Sequence, residues 1–322
     1  LPCLSADPAD LARRRACAMG LLALVGGVRA APAAGQVAVL YPEVAEPYRS
    51  VFARILDGID DKVQAPVGRL AVPAQGDGAG LLKPLLEKSP KVVIALGRAG
   101  LRLAEALDRS IEVVGGGVVG PPEGEQRSAT LLSLNPDPAL LLQRLRSLQS
   151  TARRVTLVHS IRSSGWLLRF AREAARQQEL ELRAVEVDDL KGALRQYQDF
   201  FANAQPRDDA LWLPQDAASV DEAAVLPYVL QEAWDRNIVV FSSSLAHVRR
   251  GVLFSLYPDN LELGRHLATL ALGYLGQASA APRGAQPLKA VQAALNWRTA
   301  QHLSLNLNAK QMRSFELLLP EK

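Results

Sequence analysis

Few residues in this chain are of a type that does chemistry, and their spacing excludes more than it offers. The four histidines, His159, His247, His266 and His302, include no two at metal-ligand spacing, so no metal site is expected. Ser242-Ser243-Ser244 follow an apolar run, yet the chain has no G-x-S-x-G elbow and no G-x-x-x-x-G-K-[ST] phosphate loop. A serine triad would also need a base and an orienting acid, which the sequence alone does not place. Gly115-Gly116-Gly117-Val118-Val119-Gly120 fits G-x-G-x-x-G, but Pro121-Pro122 stand where a dinucleotide site needs a helix to begin. The glycine run is therefore expected to be a loop after a strand, with no nucleotide or other cofactor.

What remains is a set of polar residues placed just after apolar runs. In parallel α/β sheets, ligands sit outside the carboxyl ends of the strands, so these positions are the expected ligand-binding set. They are Tyr41, Glu43 and Tyr48, then Gly97 and Arg98, then His159, Ser160, Arg162, Ser163 and Ser164, then Gln215 and Asp216, then Ser242 and Ser243. Arg98 or Arg162 suits a carboxylate through paired N–H donors, Asp216 an amine, and Tyr48 or Trp166 an apolar or aromatic moiety. Binding is favoured over catalysis, and no catalytic residue is assigned.

The elements that must position these residues follow from hydrophobic periodicity. Runs 37–41 and 92–96 are continuously apolar, as strands buried on both faces should be. With strands at 68–72 and 111–114 and helices at 47–63, 81–88 and 101–107, they make a first βαβαβ unit. The order restarts with strands at 155–159, 182–187, 210–213 and 238–241 and helices at 165–178, 190–202 and 223–236. Such alternation predicts parallel sheets with right-handed crossovers. Further on, strands are expected at 252–256, 291–295 and 315–319, helices at 261–275 and 299–303, and a small-residue loop at 278–286. The fold class is α/β: two Rossmann-like lobes joined by crossover hinge strands. Lobe 1 is expected over 37–148 plus about 257–286, and lobe 2 over 149–256 plus about 287–322.

Composition agrees with a folded protein of this size: 322 residues, 48% of them hydrophobic, support two cores. The formal net charge is +4, and half of that excess lies before Ala31, where four arginines face Asp7 and Asp10. Elsewhere basic and acidic residues alternate on helical stretches, so no nucleic-acid partner is expected. Arg13-Arg14-Arg15, an apolar run over 16–28 and small residues after it have the pattern of a secretory signal, residues 1–30, with cleavage after Ala30 or Ala33. The run falls short of the roughly 20 apolar residues a membrane-spanning helix needs. Cys17 begins this run instead of following it, so a lipid anchor is not expected. Cys3 and Cys17 are the only cysteines, and both would leave with the signal, excluding disulfides and thiolate chemistry from the exported chain.

Several stretches resemble a known family. Arg153-Arg154-Val155-Thr156-Leu157-Val158-His159-Ser160, Ala210-Leu211-Trp212-Leu213-Pro214-Gln215-Asp216 and Asn237-Ile238-Val239-Val240-Phe241-Ser242 are similar to segments of the type I periplasmic substrate-binding proteins of ABC transporters. So are Gly251 through Asp259, Glu262-Leu263-Gly264-Arg265 and Asn296-Trp297-Arg298-Thr299-Ala300. The branch resembled includes binders of aromatic amino acids. Ser160-Ile161-Arg162-Ser163-Ser164 departs from it, standing where the family carries Asn-Pro or similar turn residues. The resemblance implies a monomeric periplasmic protein that closes on a small, amino-acid-like molecule and presents it to a membrane permease. The alternative is a non-transport binding or sensory module serving an outer-membrane receptor or a signalling protein.

Overall fold

The computed structural model describes residues 35–73, 78–122, 130–277 and 283–320. The expected signal with its cleavage sites, both cysteines, and Glu123 to Glu125 of the segment after the glycine run lie outside the described residues.

Strands β1 (Val37–Pro42), β2 (Gly68–Val72), β3 (Val92–Leu96), β4 (Glu112–Val118) and β5 (Thr130–Pro136) belong to a first sheet. A second contains β6 (Arg154–His159), β7 (Glu181–Glu186), β8 (Asp209–Leu213), β9 (Val239–Ser242) and β10 (Phe254–Pro258). Strand β11 (Gly284–Leu288) returns to the edge of the first sheet, while β12 (Val291–Asn296) and β13 (Leu317–Leu319) complete the second. The orders are β11-β5-β4-β3-β1-β2 and β13-β12-β10-β9-β8-β6-β7. Every pairing is parallel except β10 with β12.

The continuous apolar runs are strands with a core on each face. Val39 and Ile94 face the helices Tyr48–Val63 and Asn260–Leu272, whereas Leu40 and Ala95 face Leu85 and Leu103 on the other side. In the second sheet Trp212 and Phe241 point into one core and Leu211 and Val240 into the other. Trp212, Phe241 and Phe254 stack across β8, β9 and β10, at 6.0 and 5.2 Å between ring centroids. Such cross-strand aromatic contacts add to what area burial contributes.

The chain passes between the sheets three times. After β5 the helix Pro138–Leu148 buries Leu141, Leu142 and Leu145 in the core of the second sheet. The expected first-lobe boundary at 148 includes this helix, but its buried leucines pack with the other sheet. After β10 the helix Asn260–Leu272 crosses back and buries Leu263 and Leu267 in the first sheet's core. The third passage joins β11 to β12.

The first and last helices of the first sheet meet through glycines. A Cβ at Gly58 would strike the Leu261 carbonyl oxygen, and one at Gly264 would strike the Ile55 carbonyl oxygen. The backbones touch because neither residue has a side chain.

Two expectations are corrected here. The glycine run is not a loop: Gly115, Gly116 and Gly117 lie in β4. A Cβ at Gly115 would come within 2.8 Å of Leu101 Cδ2, and one at Gly116 within 2.8 Å of Leu267 Cδ1, so the glycines let helices close on both faces of the strand. The expected small-residue loop contains β11 over Gly284–Leu288, an edge strand that tolerates Pro287 because only one of its sides is paired.

Gly264→Val should lower stability by about 3 kcal/mol, since the helix pair has no room for the added methyls. Urea denaturation monitored by circular dichroism measures it.

Candidate functional site

At the carboxyl ends of β1, β3 and β4 the first sheet opens into a hollow of about 420 Å³. Its floor is apolar, with Phe52, Val118 and Leu134, and its rim carries Glu43, Tyr48, Arg98 and Arg102. Two glycines in the left-handed region shape it: Gly97 (φ 68°) turns β3 directly into the helix Gly97–Ala104, and Gly117 (φ 70°) kinks β4. Both lie beneath Phe52, where a Cβ would approach the ring to 3.4 Å and 3.1 Å respectively. Behind the hollow, buried Ser133 and Asn135 of β5 both donate to the Val119 carbonyl, fixing the segment that leaves β4.

Tyr48 stands at the first position of the Tyr48–Val63 helix and is 66% exposed. The carboxylate of Glu46 holds that helix start, accepting from Ser50 Oγ at 2.7 Å and Arg49 Nε at 2.9 Å. The Ser50 bond, followed by the Arg49 bond, keeps the Glu46 pKa below its ordinary value. Arg98 is exposed at the mouth, and neither it nor Arg102 forms an ion pair among the described residues. Of the five first-sheet candidates, Glu43, Tyr48, Gly97 and Arg98 line the hollow; Tyr41 instead packs against the core beside β1.

The second sheet uses most of its candidates differently. Asp216 is buried, and its carboxylate accepts from Ser160 N–H (2.8 Å), Ser164 Oγ (3.1 Å) and Ala218 N–H (3.0 Å). It ties the loop after β6 to the loop after β8, and each of its oxygens already accepts at least one hydrogen bond from the protein. Ser242 is fully buried: its hydroxyl donates to Leu213 O at 3.0 Å and accepts from Ser244 N–H at 3.0 Å. His247 Nδ1 lies 2.7 Å away. Ser242 is buried between Leu213 O, Ser244 N–H and the imidazole, so its hydroxyl joins the strand end to the helix Leu245–Arg250. Burial, opposed by Glu222, holds the His247 pKa below its ordinary value. Ser243 Oγ accepts from Trp212 Nε1 at 2.9 Å. The candidates exposed at this end are Arg162, Ser163 and Gln215.

Loops from the two sheets meet at this seam. A Cβ at Gly120, just after β4, would lie 2.9 Å from Trp166 Nε1 and 3.3 Å from Ser163 O. Among the described residues, buried Trp166 Nε1 and His159 Nδ1 have no hydrogen-bond partner.

Sequence reasoning missed Phe52 and Arg102, although helical spacing offers a signal for both. Phe52 is four residues after Tyr48, and Arg102 four after Arg98, which stacks each pair on one helix face.

Among solved structures, the chain is similar to a substrate binding protein with adhesive properties from Clostridium difficile, in its ligand-free, open form. Identity is 13% over 88% of this chain and 98% of that one, with a TM-score of 0.62. It is also similar to an ABC domain in complex with L-Trp from Streptococcus pneumonia (16% identity, 88% of this chain and 99% of that one, TM-score 0.53). A conserved domain protein from Vibrio cholerae matches over the same shares, at 15% identity and TM-score 0.53. No family model matches the sequence, and no curated relative does. The chain has the type I periplasmic-binding fold.

Asp216→Ala should cost about 3 kcal/mol, because the buried N–H of Ser160, the buried hydroxyl of Ser164 and the half-buried N–H of Ala218 lose their acceptor. Arg98→Ala at the exposed mouth should stay within ~0.5 kcal/mol of the parent. Parallel urea titrations separate the two.

Proposed function

We propose that this is an exported, monomeric solute-binding protein that captures a small molecule between two lobes and presents it to an ABC-type membrane permease. One lobe is the first sheet with the helix Asn260–Leu272, and the other is the second sheet with the helix Pro138–Leu148. The observation that carries the reading is the hollow at the carboxyl ends of β1, β3 and β4. It combines an apolar floor with two guanidinium groups and one carboxylate at its mouth, and it lies on the side where the second lobe's loops approach.

That chemistry favours a ligand with an apolar body and a carboxylate. Arg98 and Arg102 attract the carboxylate, Glu43 an amine, and Phe52 and Tyr48 cover the apolar part. The L-Trp held by the Streptococcus domain is a molecule of this kind. From the facing lobe, Arg162, Ser163 and Gln215 are free to contribute. His159 Nδ1 and Trp166 Nε1, without partners among the described residues, would gain them if a polar group of the ligand reached the seam. Closure about the three passages would bury the ligand and give the permease a distinct shape to read. The basic, apolar and small-residue order of residues 1–34 supports export to the periplasm.

Protein purified from periplasm should carry a low-mass carboxylate visible by native mass spectrometry. Calorimetry with that compound should show Arg98→Ala weakening binding by roughly tenfold or more. A bare protein mass, together with no heat from an amino-acid and carboxylate library, would remove the reading.

A further inference from the structure

A second concave surface lies at the opposite end of the second sheet. There the last residues of β12 and β13, Asn296 and Leu319, come together with Gly251, which precedes β10, and with the ends of two helices. They enclose a groove of about 890 Å³. Parallel strands that point their carboxyl ends at the seam leave their amino ends here, so the groove is remote from the candidate ligand site.

One wall is a stripe of the Leu226–Arg236 helix. Its buried face sends Leu226, Val229 and Ala233 into the core, while Pro227, Leu230 and Trp234 line the groove at helical spacing. From Pro227 to Trp234 the stripe is about 11 Å long, room for three or four residues of an extended chain. Trp234 is 46% exposed, yet its ring is pinned: it stacks on His302 at 3.6 Å between centroids, and His302 Nε2 lies 2.9 Å from the Trp234 carbonyl oxygen. The opposite wall carries the guanidinium groups of Arg249, Arg250 and Arg298, all exposed and without an ion pair among the described residues. The acids on the helix are already engaged: Glu232 pairs with Arg236, and Asp235 accepts from Gln231.

We infer that this groove docks an extended, acidic segment of a partner protein, with an apolar side chain of that segment laid on Trp234. Three guanidinium groups, unpaired among the described residues and facing an apolar stripe, are complementary to alternating carboxylates and apolar side chains. Strand β13, whose last residue lines the groove, is an edge strand and leaves main-chain groups for an added strand to pair with. A concave site with a flattened, pinned indole fits a peptide better than a membrane, which an aromatic side chain enters by projecting outward. The far-pole position lets the protein stay tethered while its cleft opens and closes.

The test uses the full chain and a fluorescent peptide of alternating glutamate and leucine, followed by anisotropy. Saturable binding is expected, weaker at higher salt, and reduced roughly tenfold or more by Arg249→Glu with Arg298→Glu and likewise by Trp234→Ala. Arg98→Ala should leave it unchanged, which separates this groove from the proposed ligand cleft. Thermal melts of the arginine variants should match the parent, since those side chains are exposed, whereas Trp234→Ala gives up the stack on His302 and should melt slightly lower while remaining folded at the assay temperature. The inference is overturned if the peptide fails to saturate at millimolar concentration, if a glutamine-for-glutamate peptide binds equally, or if the groove variants bind as the parent does. Preference for phosphatidylglycerol vesicles or oligothymidylate over the peptide overturns it as well.

Discussion

The structure depends on how the chain passes between its two sheets, and a repeated Pro-Asp pair governs two of the three passages. β5 ends at Pro136 and β10 at Pro258, and Asp137 or Asp259 follows at once. Each aspartate caps the helix it begins, Asp137 by accepting from Ala139 N–H and Asp259 from Leu261 and Glu262 N–H. The main-chain N–H of each donates to the third passage, Asp137 to Leu288 O at 2.8 Å and Asp259 to Ala290 O at 3.0 Å. One short segment of chain thus clamps the other two. A strand of one sheet is followed by a helix of the other, so neither core is complete without a segment that has crossed.

This clamp fixes where function can reside. With strands ending at the passages, the carboxyl ends of both sheets are held at one seam, and loops after them meet there. The first sheet keeps its ends open by using glycine where a side chain would fill the hollow, at Gly97 and Gly117. The second sheet closes its ends with internal hydrogen bonds through Asp216, Ser242 and Ser243. One wall is therefore shaped for contact, and the other is built mainly for rigidity.

Much of the fold was legible from apolar runs alone. β1, β3, β6, β8 and β9 are buried on both faces, and such strands leave a continuous signature. β5 was missed because Thr130, Ser133 and Asn135 interrupt it; Thr130 Oγ1 bonds Tyr274, and Ser133 and Asn135 donate to the Val119 carbonyl, partners remote in sequence or outside any strand pattern. β11 was missed because Gly284 and Pro287 read as loop, yet an edge position permits both. The Gly58 and Gly264 contact joins residues two hundred positions apart, beyond the reach of local pattern. At the site, Glu43, Tyr48 and Arg98 were legible as exposed polar positions after strands, and all three line the hollow. Hydroxyls after strands were not, because a serine such as Ser242 or Ser164 serves a ligand or a neighbouring loop with the same atoms, and only geometry distinguishes the two.

The central claim is that the passages form a hinge and that the seam is a cleft which closes on its ligand. Pulsed electron spin resonance between labels at Ala53→Cys and Asp188→Cys, exposed positions outside the proposed ligand set, with and without the ligand retained from periplasm, tests it most directly. A shorter and narrower distance distribution in the loaded protein is the predicted result. The same distribution in both states would contradict it.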